Sequence, residues 1–275
     1  MAATVRSAAN RGIARGLVTA VLDIAGHFEL LRMLVVKELK VKYKASAIGL
    51  FWSLLNPLLL MLVYTAIFGT VFHSRPQYPV FILSGLLAWN FFGLTLPSAT
   101  VSLVGNSNLI RKTRFPTALL PLSTVLAGFI NFLISLVLLF GLLVVYRHPV
   151  GWSVVLLPVL LLAQLAFTAG LGLLLGAVNV FFRDVEHFLS IILTLWFFAT
   201  PIIYPVEAVQ GNPVARLVLA VNPMAWLVSA YQKIFYHSTW PDAVPTWGFI
   251  LLSVALLLLG FTVFVRLSRR FVEEV

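Results

Sequence analysis

Six long apolar segments, separated by short polar stretches, dominate the chain. None of them contains Asp, Glu, Lys or Arg, and they cover approximately residues 46–72, 80–101, 117–146, 152–182, 188–204 and 246–265. A helix needs about 20 apolar residues to cross the hydrocarbon core of a bilayer, and its backbone groups must be hydrogen-bonded internally there. The pattern predicts an all-α membrane protein with six transmembrane helices, the fifth of which is short and ends at Pro201.

The segment before the first apolar run, residues 23–44, has the pattern of an amphipathic helix. Its apolar positions step by three or four residues, which is helical spacing: Ile24, Phe28, Leu31, Val35 and Leu39. Lysines crowd its end, so we expect an interface helix on the cytoplasmic leaflet, although a basic flank that only fixes orientation has the same composition. The charged residues of interest there are Glu38, Lys40, Lys42 and Lys44. Residues 1–22 form an N-terminal tail to which no role is assigned.

Between the fifth and sixth apolar segments lies a stretch of intermediate character, residues 205–245. Its two apolar pieces, 214–221 and 224–236, are too short to span a bilayer, and each is preceded by an Asn-Pro pair. Segments rich in Leu, Val, Trp and Tyr are not expected to lie bare in water. We therefore expect short re-entrant or interfacial helices on the outer side.

The basic residues orient the six segments. With both termini inside, fifteen of the 19 Lys and Arg residues lie on the cytoplasmic side and four outside, as the positive-inside rule requires. The sequence thus predicts cytoplasmic N- and C-termini. The same rule accounts for the net charge of +10 without a nucleic-acid partner. With 61% hydrophobic and 10% charged residues, the chain cannot cover a water-soluble fold.

The chain lacks the groups of the common enzyme classes. It has no phosphate-binding loop with a Gly-Lys pair, no cysteine and no metal-ligand spacing among its five histidines, so we expect neither catalysis nor a metal site. The absence of Asp, Glu, Lys and Arg from the six segments also disfavours ion coupling. We expect their amides to form hydrogen bonds between helices: Asn56, Asn90, Asn131, Gln164 and Asn179. Energy must then come from a separate ATPase, which would hold the ATP and Mg²⁺.

Two loops on the predicted inner side suit contact with such an ATPase, although loops that only set topology would look alike. Four stretches of the chain resemble the permease subunit of polysaccharide-exporting ABC transporters, the family that serves O-antigen, capsule and teichoic acid. These stretches are residues 37–44 leading into Ile48-Gly49-Leu50-Phe51-Trp52 and Asn56-Pro57, residues 109–116, Phe181-Phe182-Arg183-Asp184-Val185, and residues 201–205 followed by Asn222-Pro223.

The resemblance implies a homodimer of six-helix subunits in a bacterial cell (inner or plasma) membrane, bound to two copies of a nucleotide-binding subunit. It implies that residues 23–44 form the interface helix, that 45–275 form the exporter transmembrane domain, and that 205–245 form an outer gate. The residues it places at the ATPase contact are Leu109, Ile110, Arg111, Lys112, Arg114, Phe115, Pro116, Arg183 and Asp184.

A channel for a sugar polymer needs weak, repeated contacts, and aromatic faces provide them against the C–H faces of sugars. The candidates are Trp89, Phe91, Phe92, Trp196, Phe197, Phe198 and Tyr204, although aromatic side chains that pack internally or face lipid are equally compatible with these positions. The resemblance implies export of a lipid-linked polysaccharide or polyol-phosphate polymer. A permease of the same architecture for a drug, lipid or small molecule is the alternative.

Overall fold

The computed structural model describes residues 22–44, 48–69, 77–113 and 115–274. Within these ranges the chain is helical and contains no β-strand. Its helices are α1 (Phe28–Tyr43), α2 (Trp52–Phe68), α3 (Tyr78–Gly105), α4 (Ser107–Lys112), α5 (Leu119–Val145), α6 (Leu157–Phe181), α7 (Val185–Phe198), α8 (Pro213–Val221), α9 (Pro223–Phe235), α10 (Ala243–Leu267) and α11 (Phe271–Glu274). Residues 1–21 of the predicted tail, 1–22, and the predicted contact residue Arg114 lie outside the described residues.

Each of the six apolar segments contains a helix, which confirms the helical prediction. Four helical stretches are long and apolar enough to cross a membrane: Tyr78–Gly105, Leu119–Val145, Trp152–Phe181 and Ala243–Arg270. The other two helices are shorter, with 17 residues in α2 and 14 in α7. The fifth segment is short, as predicted, but the first is also shorter than its apolar run. Gly49 adopts a left-handed φ of 54°, and a 3₁₀ turn, Gly49–Phe51, precedes α2.

Helix α3 is the central element of the bundle. It packs against α2, α5, α6, α7 and α9, and most of its side chains are buried. The main apolar core therefore forms around this helix. Helices α6 and α10 make the most extensive contact of the bundle, where a Cβ atom on Gly260 would come within 2.0 Å of the Gly170 carbonyl oxygen.

A second apolar cluster closes one end of the bundle. It unites Leu34 of α1, Ile110 of α4 and Leu119 of α5 with Phe264 and Phe271 at the end of the chain. The predicted amphipathic segment is thus a helix, and it packs on the bundle through Leu34 and Val35. Phe28, which the spacing placed on the apolar face, is instead 65% exposed.

The stretch of intermediate character, residues 205–245, contains two short helices, α8 and α9, which meet at an angle of 87°. Asn212 and Asn222 begin them, because each side-chain oxygen accepts hydrogen bonds from two backbone N–H groups of the following helix. The prolines that follow supply the fixed φ of a first helical residue. Helix α8 buries none of its residues, whereas α9 packs against α3 and α10.

Candidate functional site: an aromatic groove and a polar cavity

Two of the five predicted amides connect helices. Gln164 of α6 donates to the Ala88 carbonyl of α3 at 2.7 Å and accepts from the Tyr231 hydroxyl of α9 at 3.0 Å. The Asn179 amide donates to the Thr100 carbonyl at 3.4 Å. These bonds confirm the prediction for both residues, since a buried amide in a bilayer must find its partner within the protein.

A groove runs along α3 between α2 and α7. Tyr64 of α2 and Phe197 of α7 meet across it with ring centroids 6.0 Å apart. Trp89 of α3 contacts the Phe197 ring edge-on at 5.5 Å. The cavity beneath these rings has a volume of about 440 Å³, and the polar residues Asn90, Ser190 and Thr194 also line it. The groove thus combines aromatic faces with hydrogen-bonding groups that carry no charge.

The structure divides the seven predicted channel aromatics between the groove and the interior. Trp89, Phe197 and Phe198 line the groove, and Phe198 is 60% exposed. Phe91 and Phe92 are buried in the core, where Phe91 stacks on Phe132 and Phe92 packs against Phe167. These two rings are therefore not accessible from the groove of the single chain.

The remaining predicted aromatics, Trp196 and Tyr204, form hydrogen bonds at the end of the groove where α7 ends. The Trp196 indole donates to the Asn222 side-chain oxygen at 2.7 Å, and the Tyr204 hydroxyl donates to the Phe198 carbonyl at 3.0 Å. Asn222 also donates to the Ala199 carbonyl at 3.0 Å. This residue joins the end of α7 to the start of α9.

Tyr64 is a groove residue that the sequence prediction missed. Asn56, Leu60 and Tyr64 recur every four residues of α2, so they share one helix face, and each lines one of two adjoining cavities. The signal was this polar and aromatic spacing within an otherwise uniform apolar run. The prediction instead relied on clusters of adjacent aromatic residues.

A polar cavity of about 220 Å³ continues from the groove toward the end of α1. Asn90 and Leu94 border both spaces. Lys42 of α1 lines the cavity together with Asn56 of α2 and Asn131 of α5. Burial lowers the pKa of Lys42 from its usual value, because desolvation penalises the ammonium form. A further space on the far side of Lys42 is bordered by Glu38.

The predicted ATPase-contact residues cluster around α4. Ile110 is buried and Leu109 half-buried, whereas Arg111 and Lys112 are exposed. Phe115 and Pro116 are half-buried just before α5. Arg183 and Asp184 are exposed at the start of α7. Helix α4 thus has an apolar side that packs on the bundle and a basic side that is exposed.

Helix α1 is tied directly to the base of α4. The Lys37 ammonium donates to the Asn106 side-chain oxygen at 3.0 Å, and the Asn106 amide donates to the Ser102 carbonyl of α3 at 2.8 Å. Lys40 and Lys42 on the same helix are exposed, as is Lys44 just after it. Helices α1 and α4 therefore share one polar junction.

Comparison with known proteins identifies the family. The family model of the ABC-2 type transporter matches residues 29–236. The chain is 39% identical to the O-antigen export system permease protein RfbA of Myxococcus xanthus, over 94% of this chain and 100% of that protein. It is 32% identical to RfbA of Klebsiella pneumoniae, over 90% and 95% of the two chains, and 22% identical to the polysialic acid transport protein KpsM of Escherichia coli, over 73% and 78%. This chain therefore belongs to the ABC-2 type transporter family.

Proposed function

We propose that this chain is the membrane-spanning permease of an ATP-driven exporter, which moves a lipid-linked polysaccharide or polyol-phosphate polymer from the cytoplasmic to the outer side of the membrane. The related RfbA and KpsM proteins, named for O-antigen export and polysialic acid transport, support polysaccharide as the cargo. They disfavour the alternative cargo of a drug or small molecule. The chain is a multi-pass protein of the bacterial inner membrane.

The observation on which this function depends is the uncharged aromatic groove between α2 and α7. Stacking on Tyr64, Trp89 and Phe197 favours the apolar faces of sugar rings, while Asn90 and Thr194 offer hydrogen bonds to hydroxyls. No charged side chain lines the groove within the described part of the chain. A polymer can slide along such a surface because no single contact is strong.

Two copies of the chain would close this groove into a channel. The opposite face of α7 carries large exposed apolar side chains, among them Phe188, Ile191 and Leu195. Such a surface needs lipid or another protein against it. We assign α2 and α7 as the first and fifth of six membrane crossings, with both termini cytoplasmic, because this topology places most basic residues inside. In it, α8 and α9 form the outer gate.

ATP hydrolysis by the partner subunits would be coupled to transport through α4. The exposed Arg111 and Lys112, with the exposed Arg183 and Asp184 on the same predicted side, offer charged surface for an ATPase subunit. Two such subunits would bind ATP and Mg²⁺, while this chain performs no catalysis itself. Movement of α4 would reach the bundle through the buried Ile110.

Depletion of the chain in its native host tests the cargo. We expect lipid-linked polysaccharide to accumulate on the cytoplasmic side, because its synthesis continues while export stops. Extraction and gel separation of the lipid-linked fraction measure this, and re-expression of the intact chain is the control. A host that exports polysaccharide normally after depletion would exclude this function and favour a small-molecule cargo.

A further inference from the structure

Three segments meet at one junction at the end of the bundle where α3 begins: the start of α3, the loop between α5 and α6, and the end of α9. The Gln77 amide, directly before α3, donates to the Tyr146 carbonyl at the end of α5 at 3.3 Å. One ring nitrogen of His148 is hydrogen-bonded to the Gln77 side-chain oxygen, and the other is 2.8 Å from the Tyr236 carbonyl after α9. A single imidazole therefore joins all three segments.

The backbone of this junction is held in an unfavourable conformation. Within the described ranges, three residues other than glycine have a left-handed φ, and all three lie here: Gln77 at 54°, Arg147 at 49° and Ser238 at 53°. Such residues rarely adopt this conformation, and where they do, the surrounding contacts must hold it. The Ser238 hydroxyl donates to the Pro149 carbonyl, and a Cβ atom on Gly151 would overlap the Ser238 carbonyl oxygen. The junction is thus strained and depends on its side-chain bonds.

Both ring nitrogens of His148 face oxygen acceptors. The Tyr236 carbonyl can only accept a hydrogen bond. The Gln77 amide presents its oxygen to His148 because its nitrogen donates to the Tyr146 carbonyl. A neutral imidazole has one N–H donor, whereas the imidazolium has two. Only the protonated ring therefore completes both bonds.

Rotation of the Gln77 amide does not remove this requirement. If the amide presented its nitrogen to a neutral His148, its oxygen would face the Tyr146 carbonyl, and two acceptors would replace a hydrogen bond. In either orientation a neutral ring leaves one of the three bonds unmade, and an acceptor without a donor is unfavourable. Loss of the proton therefore weakens the connection of α3 to the other two segments.

The acceptors of His148 are uncharged oxygens. Within the described ranges, no carboxylate lies within 4.0 Å of His148. Asp242, the acidic residue of the loop after α9, already pairs with Lys233 at 2.6 Å. The Tyr236 ring stacks on the imidazole with centroids 5.9 Å apart, and His237 contacts that tyrosine ring edge-on at 4.9 Å. The described segments that meet here contain these titratable or charged residues: Tyr78, Tyr146, Arg147, His148, Lys233, Tyr236, His237 and Asp242.

We propose that His148 is a proton-dependent latch, which holds the end of α9 against α3 and α5 as the imidazolium and releases it as the neutral ring. Histidine is the side chain that ordinarily changes its charge between about pH 5 and 8. With the topology proposed above, the junction lies on the outer side, so the latch responds to the pH outside the cell membrane. Because the backbone there is strained, loss of a bond lets the segments move apart.

The latch makes stability depend on pH with a defined sign. Since the native bonds require the charged ring, their contribution is complete at low pH and is lost as the ring gives up its proton. The chain, in complex with its ATPase subunit, is placed in nanodiscs for thermal unfolding. Between about pH 5.5 and about pH 8, the Tm of the native transporter should fall about 3 °C more than that of His148→Gln, for the loss of one hydrogen bond.

His187→Gln is the matched control for this measurement. It removes an exposed histidine at the start of α7, outside the junction, and should retain the native pH dependence. The other histidines titrate alike in the native chain and in His148→Gln, so the difference between the two isolates His148. An equal fall of Tm in the native chain and in His148→Gln, or a larger fall in the variant, would overturn the proposal.

Release of α9 is measured separately from stability. The chain contains no cysteine, so Thr239→Cys places a single nitroxide label on an exposed position after α9, attached before the ATPase subunit is added. Its mobility, measured by EPR, should increase from the lower to the higher pH in the native background and be high at both with His148→Gln. Gln77→Glu should keep the label less mobile at the higher pH, because a carboxylate favours the imidazolium.

A label whose mobility in the native background is the same at both pH values would show that the junction is a static connection, and the latch would be wrong. These measurements involve no transport, so they are independent of the export function. If depletion of the chain causes no accumulation of polysaccharide, the export function is wrong and the latch is unaffected. If accumulation occurs but neither Tm nor mobility follows pH through His148, the latch is wrong and the export function stands.

Discussion

At the scale of single residues, the start of α2 shows how the bundle compensates for a proline. Pro57 has no N–H group, so the Ser53 carbonyl four residues earlier loses its donor within the helix. The Ser135 hydroxyl of α5 donates to that carbonyl at 2.9 Å, and it is also 2.8 Å from the Asn131 carbonyl of its own helix. A neighbouring helix thus satisfies the carbonyl beside the polar cavity, as expected for proline in a membrane helix.

This arrangement predicts that Ser135→Ala destabilises the protein by about 1 kcal/mol. The loss should shrink in a Pro57→Ala background, because an alanine N–H can donate to the Ser53 carbonyl again. Unfolding of the purified protein in detergent, arranged as a double-mutant cycle, measures this coupling. Ser253→Ala is the matched control, since that buried hydroxyl bonds only to its own helix. Equal losses with and without Pro57 would contradict the prediction.

At the scale of helices, the contact of α6 with α10 depends on the absence of side chains. Gly170 and Gly260 lie at the crossing point, and the atoms that any Cβ would meet there are backbone atoms of the other helix. Backbone atoms cannot rotate away as a side chain can. Small residues at such crossings allow the close packing that associates helices in a bilayer, where the hydrophobic effect does not.

We expect Gly260→Ala to cost about 1–3 kcal/mol, because the added methyl group must push α6 and α10 apart. Thermal unfolding of the purified protein measures the change. Gly141→Ala in α5 is the matched control, since nothing lies within 4 Å of its added methyl group. That substitution should be neutral or stabilise the helix by roughly 0.5–1 kcal/mol. Similar losses in both variants would refute the role of the crossing.

The helices could be predicted well from the sequence and the groove only in part. A lipid environment requires uninterrupted apolar runs, so the six segments, the amphipathic helix and the two short outer helices were all recognisable. The contacts between side chains depend on how each helix is rotated about its axis. An almost uniformly apolar run does not indicate that rotation. Trp89 and Phe92 are three positions apart on α3, yet one lines the groove and the other lies in the core.

At the scale of the whole molecule, the end of the bundle that holds α1 and α4 has the features that contact with a separate ATPase would require. The buried Ile110 anchors α4 in the same cluster as Leu34 of α1 and Phe271 near the C-terminus. The Lys37–Asn106 bond joins α1 to the same point. A force on the basic side of α4 would therefore be transmitted to α1, which ends beside the polar cavity.

Replacing Arg111, Lys112 and Arg114 together by alanine should uncouple the transporter. We expect polysaccharide export to fall about tenfold or more, equivalent to about 1.4 kcal/mol of lost coupling, while the ATPase subunit still hydrolyses ATP. Export in cells and hydrolysis by the purified complex measure the two activities. Arg269→Ala with Arg270→Ala removes exposed charge from the same predicted side and should leave both unchanged. Full export by the triple variant would exclude this docking surface.

The hydrogen bonds of Asn222 constrain how α7 and α9 can move relative to each other. Its side chain forms hydrogen bonds with Trp196 and Ala199 at the end of α7 and with the first N–H groups of α9. Relative sliding of α7 and α9 at this point would break several short hydrogen bonds at once. We therefore expect α7 and α9 to move together. Widening of the groove and displacement of the α8–α9 region would then occur in the same motion.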